Sequence, residues 1–390
     1  DSFILDADEE LLSIDNRPGV EIKVFNPYKR RSSSAAKREI LNLGEFHRLD
    51  HRMHNKVMVI DNRVAVMGGR NLADHYFGYD ERDNFRDMEV LAMGDSVAQV
   101  SDHFDRFWNS GWSVPVGQLV AGEATEQDLV GLREQLAGVS GKPRVSSESE
   151  LAARWQAVSK DAVPGKALFL SDEPADRDPA LTAERPDQLA INLKQAIDSA
   201  STELIAVSAY LVPTPDLEAS LAAAIDRGVR VRLLTNSMRS NNHLSAHAAY
   251  GGHVRRLLES GVELYEVRVD AQDRARYMAD PVTDKKLGLH AKFLLLDNDR
   301  VFIGSSNLDP RSLQLNTEVG LMIHSEALNS RLRAAIADDF APQNSWSVQL
   351  ADGELSWHGE DEILYRSPSD SVFQQLESWF FGLLPIDSQM

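Results

Sequence analysis

An internal repeat constrains this chain more than any other feature of its sequence. Residues 54–71 read HNKVMVIDNRVAVMGGRN, and residues 290–307 read HAKFLLLDNDRVFIGSSN. Histidine, lysine, aspartate, glycine and asparagine recur at one constant offset of 236 (290 − 54, 292 − 56, 297 − 61, 304 − 68 and 307 − 71). Self-similarity of this kind means that one structural unit occurs more than once. The chain is therefore expected to fold as two copies of a single unit.

The stretch before the second motif predicts alternating helices and strands. Helical patterns near 186–200, 216–227 and 246–260 alternate with strand patterns at 203–210, 229–235 and 262–269. Strands separated by helices are typical of α/β proteins. We therefore predict an α/β fold, with the second copy of the unit spanning 183–390.

The first copy, 1–116, is shorter than the second. Gly19-Val20-Glu21 aligns with Gly261-Val262-Glu263, which places Asp1 opposite residue 243. Two strands and two helices of the unit then have no counterpart in the first copy, and we expect that sequence upstream of Asp1 is missing. Residues 117–182 are rich in Gly, Ser, Glu, Asp and Pro, a composition that predicts an exposed connector with one or two short helices.

The two copies match again downstream of their motifs. Asp87-Met88-Glu89-Val90 aligns with Asn316-Thr317-Glu318-Val319 at an offset of 229. The drop from 236 predicts about seven extra residues in the first copy, around His75–Phe85. The Gly, Asp and Asn content of this stretch indicates a loop.

Charge and composition exclude several classes of protein. The 41 basic and 60 acidic residues give a net charge of −19, which argues against nonspecific wrapping of nucleic acid, although residues 23–56 carry a local excess of six positive charges. The absence of cysteine excludes disulfides, thiol catalysis and Cys-ligated zinc. No run of apolar residues approaches the 18 or so that a bilayer-spanning helix requires.

Each motif begins with a histidine and a lysine that enter an apolar, strand-like stretch. Because residues two apart on a strand share a face, His54 is expected to point with Lys56, and His290 with Lys292. A neutral imidazole that attacks phosphorus, paired with a protonated imidazole that releases the leaving oxygen, suits phosphoryl transfer through a covalent intermediate. Such a site requires neither a metal nor a cofactor, and we predict none.

Small residues precede an asparagine at the end of each motif. Gly68-Gly69-Arg70-Asn71 and Gly304-Ser305-Ser306-Asn307 let the backbone approach a ligand closely, and each asparagine offers an amide donor. Donors of this type stabilise the charge on phosphoryl oxygens, together with the lysines. Asn71 and Asn307 are therefore candidate phosphate-binding residues.

The motif aspartates differ in position from the histidines and lysines. Asp61 and Asp297 have the opposite strand parity, and each stands in an Asp-Asn pair between two apolar runs, which is typical of a hairpin turn. This pattern favours a structural role over contact with substrate. Both residues nevertheless stay candidate catalytic residues, because they belong to the repeated motif.

Each histidine also needs an acceptor on its second ring nitrogen to fix its tautomer. Glu89 and Glu318 follow the motif asparagines on the next strand, and we predict them as the orienting carboxylates. His51 lies three residues before His54, but no carboxylate spacing accompanies it that would indicate a metal site.

The pattern H-x-K-x4-D-x6-G-G/S-x-N, present twice, resembles the duplicated signature of the phospholipase D superfamily. Further segments resemble bacterial cardiolipin synthases of the soluble, peripheral type: NPY near 26–28, RMHNK at 52–56, GGRN at 68–71, LTNS at 234–237, GVELYE at 261–266, SSNLDPRS at 305–312 and the ending LLPIDSQM. The resemblance covers nearly all of the 390 residues except the connector.

The resemblance implies two phospholipase D-like α/β/α sandwich domains related by a pseudo-twofold axis, with one active site at their interface. One histidine would carry the phosphatidyl group, and the other would act as acid and then as base toward an acceptor alcohol. Precedent in the family favours His54 as the nucleophile and His290 as the acid, and gives the motif aspartates a supporting role. The expected reaction joins phosphatidylglycerol and a second phospholipid into cardiolipin.

Three other functions stay open at this stage. Water as the acceptor would make the protein a phospholipase D that releases phosphatidic acid; the superfamily also contains a nuclease; and the shortened first copy is compatible with an inactive membrane-binding module. The resemblance implies phospholipid substrates, no nucleic acid, and a bacterial protein that is peripheral on the inner membrane or cytoplasmic. The basic run at 29–38 and the apolar, aromatic stretch at 372–384 are candidate membrane contacts, with a solvated loop and ordinary packing as the alternatives. The sequence gives no oligomeric state.

Overall fold

The structure is a computed structural model that describes residues 8–30, 41–120, 129–131, 133–134, 147–174, 188–369 and 374. Its strands are β1 (Lys23–Phe25), β2 (Val57–Ile60), β3 (Val64–Gly68), β4 (Asp83–Arg86), β5 (Glu89–Met93), β6 (Ser113–Pro115), β7 (Lys166–Ser171), β8 (Glu203–Ser208), β9 (Arg230–Asn236), β10 (Glu263–Val267), β11 (Lys286–Leu289), β12 (Lys292–Leu296), β13 (Arg300–Gly304), β14 (Val319–His324), β15 (Ser345–Ala351), β16 (Glu354–His358) and β17 (Ile363–Leu364). Its α-helices are Asp8–Asp15, Phe46–Leu49, Ser96–Trp108, Val116–Leu119, Glu148–Lys160, Gln188–Asp198, Pro215–Asp226, Leu244–Gly251, Val254–Glu259 and Glu326–Ala335.

A ten-stranded mixed sheet forms the centre of the molecule. Its strand order is β17-β16-β15-β10-β9-β8-β12-β13-β14-β7. Strands β8, β9 and β10 are parallel and are joined by helices, whereas β12, β13 and β14 form an antiparallel meander. The predicted alternation of helices and strands in the second copy is confirmed, and the predicted helix near 246–260 is two shorter helices, Leu244–Gly251 and Val254–Glu259.

One face of this sheet lies beneath the helices of the second copy. Leu189, Leu193 and Ile197 recur at helical spacing on Gln188–Asp198 and are at most 2% exposed. They belong to one buried cluster with Leu294 and Phe302 of the sheet. Burial of such side chains contributes about 1.5–3 kcal/mol each, so the amphipathic helix holds the sheet that carries the second motif.

The other face of the large sheet packs on the first copy. Strands β2, β3 and β5 form a three-stranded antiparallel sheet, and Ala65 and Met67 of β3 share a buried cluster with Phe293, Leu295 and other residues of the large sheet. Side chains alternate along a strand, so only one face of the small sheet enters this contact. The two motif strands, β2 and β12, are thereby held in one packed body.

The outer face of the small sheet differs from its counterpart in the second copy. Met58 and Ile60 on β2 are 56% and 45% exposed, whereas Leu294 and Leu296, at the same positions of β12, are 2% and 0% exposed. In the second copy a helix covers these positions; among the described residues no helix covers them in the first copy. The two copies therefore share a strand meander but not its surroundings.

The boundary predicted at residue 183 is wrong. Lys166–Ser171 falls inside the predicted connector, yet it forms β7, which pairs antiparallel with β14 at the edge of the large sheet. An edge strand with alternating exposed positions has little apolar signal, which is why composition missed it. The connector also contains the helix Glu148–Lys160, which a Ser147–Glu150 capping box begins.

No helix among the described residues is long and apolar enough to cross a bilayer. Of the two candidate membrane contacts, Lys29 and Arg30 are described and exposed, while the rest of the basic run and all of 372–384 except Gln374 lie outside the described residues.

Candidate active site

Parallel backbone pairing between the two copies positions both motif histidines. Strand β11, which leads into His290, pairs in parallel with β4 of the first copy, and His290 N donates to Arg86 O at 2.8 Å. In the same way Met53 bridges to Thr317 in parallel, and His54 N donates to Thr317 O at 3.0 Å. Each histidine is therefore anchored on the chain of the other copy.

This pairing brings each histidine to a carboxylate of the other copy. His54 Nδ1 lies 2.8 Å from Glu318 Oε1, and His290 Nδ1 lies 2.8 Å from Asp87 Oδ2. Both carboxylates have side chains with no exposed surface. A carboxylate on Nδ1 holds the ring in one orientation and leaves Nε2 for chemistry.

The prediction that Glu89 orients a histidine is wrong, and Asp87 takes that place. The strand register pairs Gly68 with Glu89 and Gly304 with Gly320, so the offset between the copies falls from 236 to 231 (320 − 89) rather than to 229. Asp87 is then the counterpart of Glu318, and the first copy has five extra residues, not seven. Glu89 is exposed and forms an ion pair with Arg70 at 3.0 Å.

The residue two positions before each motif asparagine is matched to the carboxylate beside it in the space that its side chain takes. In the second copy the Ser305 hydroxyl donates to Glu318 Oε2. In the first copy the equivalent position is Gly69, where a Cβ would collide with the Asp87 carboxylate and lie 2.8 Å from His290 O. The shorter aspartate occupies the space that a side chain at residue 69 would need.

Both histidines line one cavity of about 630 Å³. Four predicted site residues reach its wall, namely His54, Asn71, His290 and Asn307. Further polar or aromatic lining residues include Tyr28, Arg52, Tyr76, Tyr210, Asp309 and Arg311. The cavity therefore combines two imidazoles, amide donors and guanidinium groups in one enclosure, which suits an anionic ligand.

Burial governs the protonation of His54 and Glu318. Desolvation, followed by the charges of Lys56 and Lys292, lowers the pKa of His54 well below its usual value. Desolvation raises the pKa of Glu318 to about 8, against the opposing effect of Lys56. His54 Nδ1 lies 2.8 and 2.9 Å from the two Glu318 carboxylate oxygens, so the two groups titrate as a coupled pair. When that pair loses a proton, Nδ1–H donates to the carboxylate and Nε2 presents a lone pair.

Burial likewise lowers the pKa of His290, to about 3, with Lys292 next in effect and the Asp87 hydrogen bond opposing both. His290 is 4% exposed. Its Nδ1 contacts both Asp87 and, at 3.1 Å, Lys292 Nζ. A neutral His290 is suited to accept a proton from an incoming group.

The two motif lysines lie on the same side as their histidines. Lys56 Nζ donates to His54 O at 3.0 Å, and Lys292 Nζ donates to His290 O. Burial lowers the pKa of Lys56 to about 7 and that of Lys292 to about 8. Both lysines therefore lose their charge close to neutral pH, and a phosphate beside them would favour their charged forms.

The motif asparagines occupy different surroundings. Asn71 Nδ2 donates to the Tyr76 hydroxyl at 2.8 Å. Asn307 is 3% exposed, and its Oδ1 is buried without a hydrogen-bond partner. A buried, unsatisfied amide that faces a cavity is expected to bind a ligand group or water.

The structure contradicts a catalytic position for Asp61 and Asp297. Both have positive φ, 52° and 51°, in hairpin turns, and neither lines the cavity. Asp297 follows β12 at the end opposite Lys292, five residues and therefore about 16–17 Å away at 3.2–3.4 Å per residue. Its Oδ1 accepts from Ser201 N and Thr202 N at 3.0 and 2.7 Å, so it joins the turn to the start of β8.

Several residues of the site were not predicted as site residues. Asp87 was missed because identical letters, Glu89 and Glu318, were aligned in place of structurally equivalent residues. Tyr76 lies in a loop that is five residues longer in the first copy than in the second, and the second copy has no tyrosine there, so the repeat gave no signal for it. Asp309 is buried, accepts from Ser312 N at 2.7 Å, and has a pKa that desolvation raises to about 6. Tyr210 also lines the cavity.

Among the described residues, no group of three or more His, Asp or Glu side chains is arranged to hold a metal ion. A mechanism without metal or cofactor stays a prediction.

The chain is similar in sequence to proteins that are already known. A family model described as the phospholipase D-like domain of cardiolipin synthase matches residues 193–340. Cardiolipin synthase C of Escherichia coli K12 is 32% identical over 97% of this chain and 81% of that protein. An uncharacterised protein of Helicobacter pylori 26695 is 28% identical over 98% of this chain and 76% of its own length.

A solved structure supports the fold. The crystal structure of phosphatidylserine synthase from Haemophilus influenzae Rd KW20 superposes with a TM-score of 0.51 and covers 87% of this chain and 71% of that one, at 14% identity. At this identity the likeness concerns the fold alone.

Proposed function

The chain belongs to the phospholipase D-like cardiolipin synthases, a family of phosphatidyltransferases, and from this premise we propose that it makes cardiolipin from phosphatidylglycerol and a second phospholipid. The observation that carries the proposal is the pair of histidines in one cavity, each hydrogen-bonded through Nδ1 to a carboxylate of the other copy. This arrangement leaves two Nε2 atoms for a reaction that needs one nucleophile and one acid.

In the first half-reaction His54 Nε2 attacks the phosphorus of the donor lipid. The new N–P bond forms as the bond from phosphorus to the leaving oxygen breaks, and that oxygen takes a proton from His290, whose charged form Asp87 and the bound phosphate favour against the effect of burial. Glu318 supports the positive charge that develops on the ring of His54. Lys56, Lys292, Asn71 and Asn307 are proposed to stabilise the phosphoryl oxygens. His54 is assigned as nucleophile from precedent in the family.

In the second half-reaction His290, now neutral, takes the proton from an acceptor hydroxyl. The acceptor oxygen attacks phosphorus, the N–P bond breaks, and its electron pair returns to His54 Nε2. A phosphatidylglycerol hydroxyl as acceptor gives cardiolipin, and water gives phosphatidic acid. We propose phospholipids rather than nucleic acids as substrates, and peripheral contact with the inner membrane of a bacterium.

The test is product analysis with defined vesicles. Phosphatidylglycerol alone, or mixed with phosphatidylethanolamine, is incubated with the protein, and the lipids are resolved by mass spectrometry. Cardiolipin as the main product is expected, with His54→Ala and His290→Ala each abolishing turnover. If phosphatidic acid is the only product, the protein is a hydrolase and not a synthase. Degradation of single-stranded DNA without lipid turnover would point to a nuclease.

A further inference from the structure

The two histidines differ in the loop residues that lie beside them. Between Asn71 and Asp87 the first copy is five residues longer than the second. This stretch folds as a short 3₁₀ helix, Asp74–Tyr76, which ends in Tyr76. The corresponding stretch of the second copy, 308–317, contains no tyrosine. The extra loop therefore introduces a side chain that the repeat does not duplicate.

The Tyr76 hydroxyl lies between an asparagine and a histidine of the site. It accepts from Asn71 Nδ2 at 2.8 Å and lies 3.5 Å from His290 Nε2. Because Asn71 occupies the oxygen, the hydroxyl hydrogen is free to turn toward the lone pair on Nε2 of neutral His290. At 3.5 Å this contact is weak, so a substrate hydroxyl can displace it.

Two aromatic rings pack against the ring of His290. The ring of Tyr76 meets His290 edge-on, with centroids 4.8 Å apart, and Phe85 lies 5.6 Å from His290. Tyr76 is 7% exposed, and Arg70 Nη1 donates to its carbonyl oxygen at 2.6 Å. The tyrosine is thus fixed in place beside the ring of His290.

We propose that Tyr76 excludes water from His290 Nε2 and thereby directs the second half-reaction toward an alcohol acceptor. This inference rests on the proposed function. Neutral His290 deprotonates whichever hydroxyl reaches it, and water competes with the lipid alcohol. The Tyr76 oxygen occupies the position where a water would hydrogen-bond both Asn71 Nδ2 and His290 Nε2. A water at that point would be ordered and adjacent to the base, which is the arrangement that hydrolysis requires.

Removal of the hydroxyl alone should create that water site. In Tyr76→Phe the ring still packs on His290, while Asn71 Nδ2 and His290 Nε2 are left as two polar partners for one water. The water oxygen then attacks phosphorus, His290 takes its proton, and the N–P bond to His54 breaks. Phosphatidic acid should form at the expense of cardiolipin.

The experiment measures the ratio of phosphatidic acid to cardiolipin from phosphatidylglycerol vesicles. This ratio does not depend on the fraction of folded protein, so a purely structural defect leaves it unchanged. We expect the ratio to rise at least about fivefold in Tyr76→Phe, which corresponds to about 1 kcal/mol in the difference between the two barriers. Tyr79→Phe is the matched control, since it removes a hydroxyl from the same loop at a 39% exposed position, and should not change the ratio.

The outcomes separate this inference from the proposed function. A wild-type protein that forms no lipid product contradicts the proposed function itself. If the wild-type protein makes cardiolipin and the ratio is unchanged in Tyr76→Phe, the proposed role of Tyr76 is overturned and the proposed function stands. Equal loss of both products in Tyr76→Phe also overturns it, because the tyrosine would then act in a step common to both acceptors.

Discussion

His54 and Glu318 lie 264 residues apart, yet their side chains share a hydrogen bond of 2.8 Å between Nδ1 and Oε1. The pair exists because Met53 and Thr317 form a parallel bridge, with Thr317 N donating to Arg52 O and His54 N donating to Thr317 O. His290 and Asp87 repeat the relationship in the opposite direction. Neither copy of the unit therefore holds a complete histidine–carboxylate pair of its own.

The first prediction concerns these crossed carboxylates. Glu318→Gln and Asp87→Asn keep the size of the side chains but replace the carboxylate by a neutral amide, whose NH2 group can donate to Nδ1 and favour the wrong tautomer. Each substitution should lower kcat by roughly 10²–10⁴-fold, the range for loss of general acid–base function. Initial rates of phosphatidyl transfer, with circular dichroism to verify folding, measure the effect.

Glu89→Gln is the matched control for this prediction. Glu89 is exposed, pairs with Arg70 and does not reach either histidine. Its substitution should leave the rate within about twofold of the wild type, as expected of a surface position. A loss as large as that of Asp87→Asn would restore Glu89 as the orienting residue.

The sequence predicts most of the fold but only part of the site, and the reason is physical. Periodicity within one element is a local property, so the helix Gln188–Asp198 and strand β9 are read directly from the apolar pattern. The partner of a histidine is a non-local property. It depends on which strands pair and in which register, and a two-residue error in alignment exchanged Asp87 for Glu89.

The motif aspartates show the opposite case. Strand parity and the Asp-Asn pair predicted hairpin turns, and the positive φ of Asp61 and Asp297 confirms them. Here the local signal was sufficient, because a turn is determined by a few adjacent residues. Strand β7 was missed because its alternating, half-exposed residues resemble the polar connector around it.

The second prediction concerns pH. Charged Lys56 and Lys292 attract the substrate phosphate, and their charge is lost as pH rises through pKa values of about 7 and 8. The His54–Glu318 unit must lose a proton, and the pKa of Glu318 is raised to about 8. The profile of kcat/KM should therefore be a narrow bell with its maximum between about pH 7 and 8.

Lys56→Arg tests the alkaline side of this profile. A guanidinium stays charged throughout the range, so Lys292 alone would set the limb, which should move upward by about one unit toward its pKa of about 8. The measurement is kcat/KM from pH 5 to pH 10 at constant ionic strength. An alkaline limb above pH 10 in the wild type would contradict the lowered pKa values of both lysines.

The third prediction separates stability from activity at Asp297. Its carboxylate accepts from two backbone N–H groups and from Arg300, and these donors, against desolvation, lower its pKa from 3.8. A depressed pKa stabilises the fold above pH 3.8, and this contribution is lost as pH falls below that value. Asp297→Ala should cost at least about 2 kcal/mol at pH 7, because several hydrogen bonds to a charged group are lost.

Urea unfolding at pH 7 and at pH 3 measures this contribution, with Asp61→Asn as the control. Asn tolerates the positive φ of residue 61, so the control should change the free energy of unfolding by less than about 0.5 kcal/mol. At urea concentrations below its unfolding midpoint, the Asp297→Ala protein should keep most of the wild-type activity. Loss of activity in a fully folded Asp297→Ala protein would return this residue to the catalytic site.

The fourth prediction concerns the glycine beside Asp87. A Cβ on residue 69 would overlap the Asp87 carboxylate and approach His290 O to 2.8 Å, and both neighbours belong to the histidine–carboxylate pair. Gly69→Ala should therefore displace Asp87 from His290 and lower kcat by about 10²-fold, since small displacements at a reacting group have effects of that size. Gly117→Ala, whose added Cβ would meet nothing within 4 Å, is the control and should retain full activity.

Because Ser305 occupies the position equivalent to Gly69, a double variant Gly69→Ser/Asp87→Glu places the second copy's combination in the first. Recovery of at least about tenfold over Gly69→Ala would show that the collision with the carboxylate causes the loss, whereas equal inactivity of both variants would contradict that explanation.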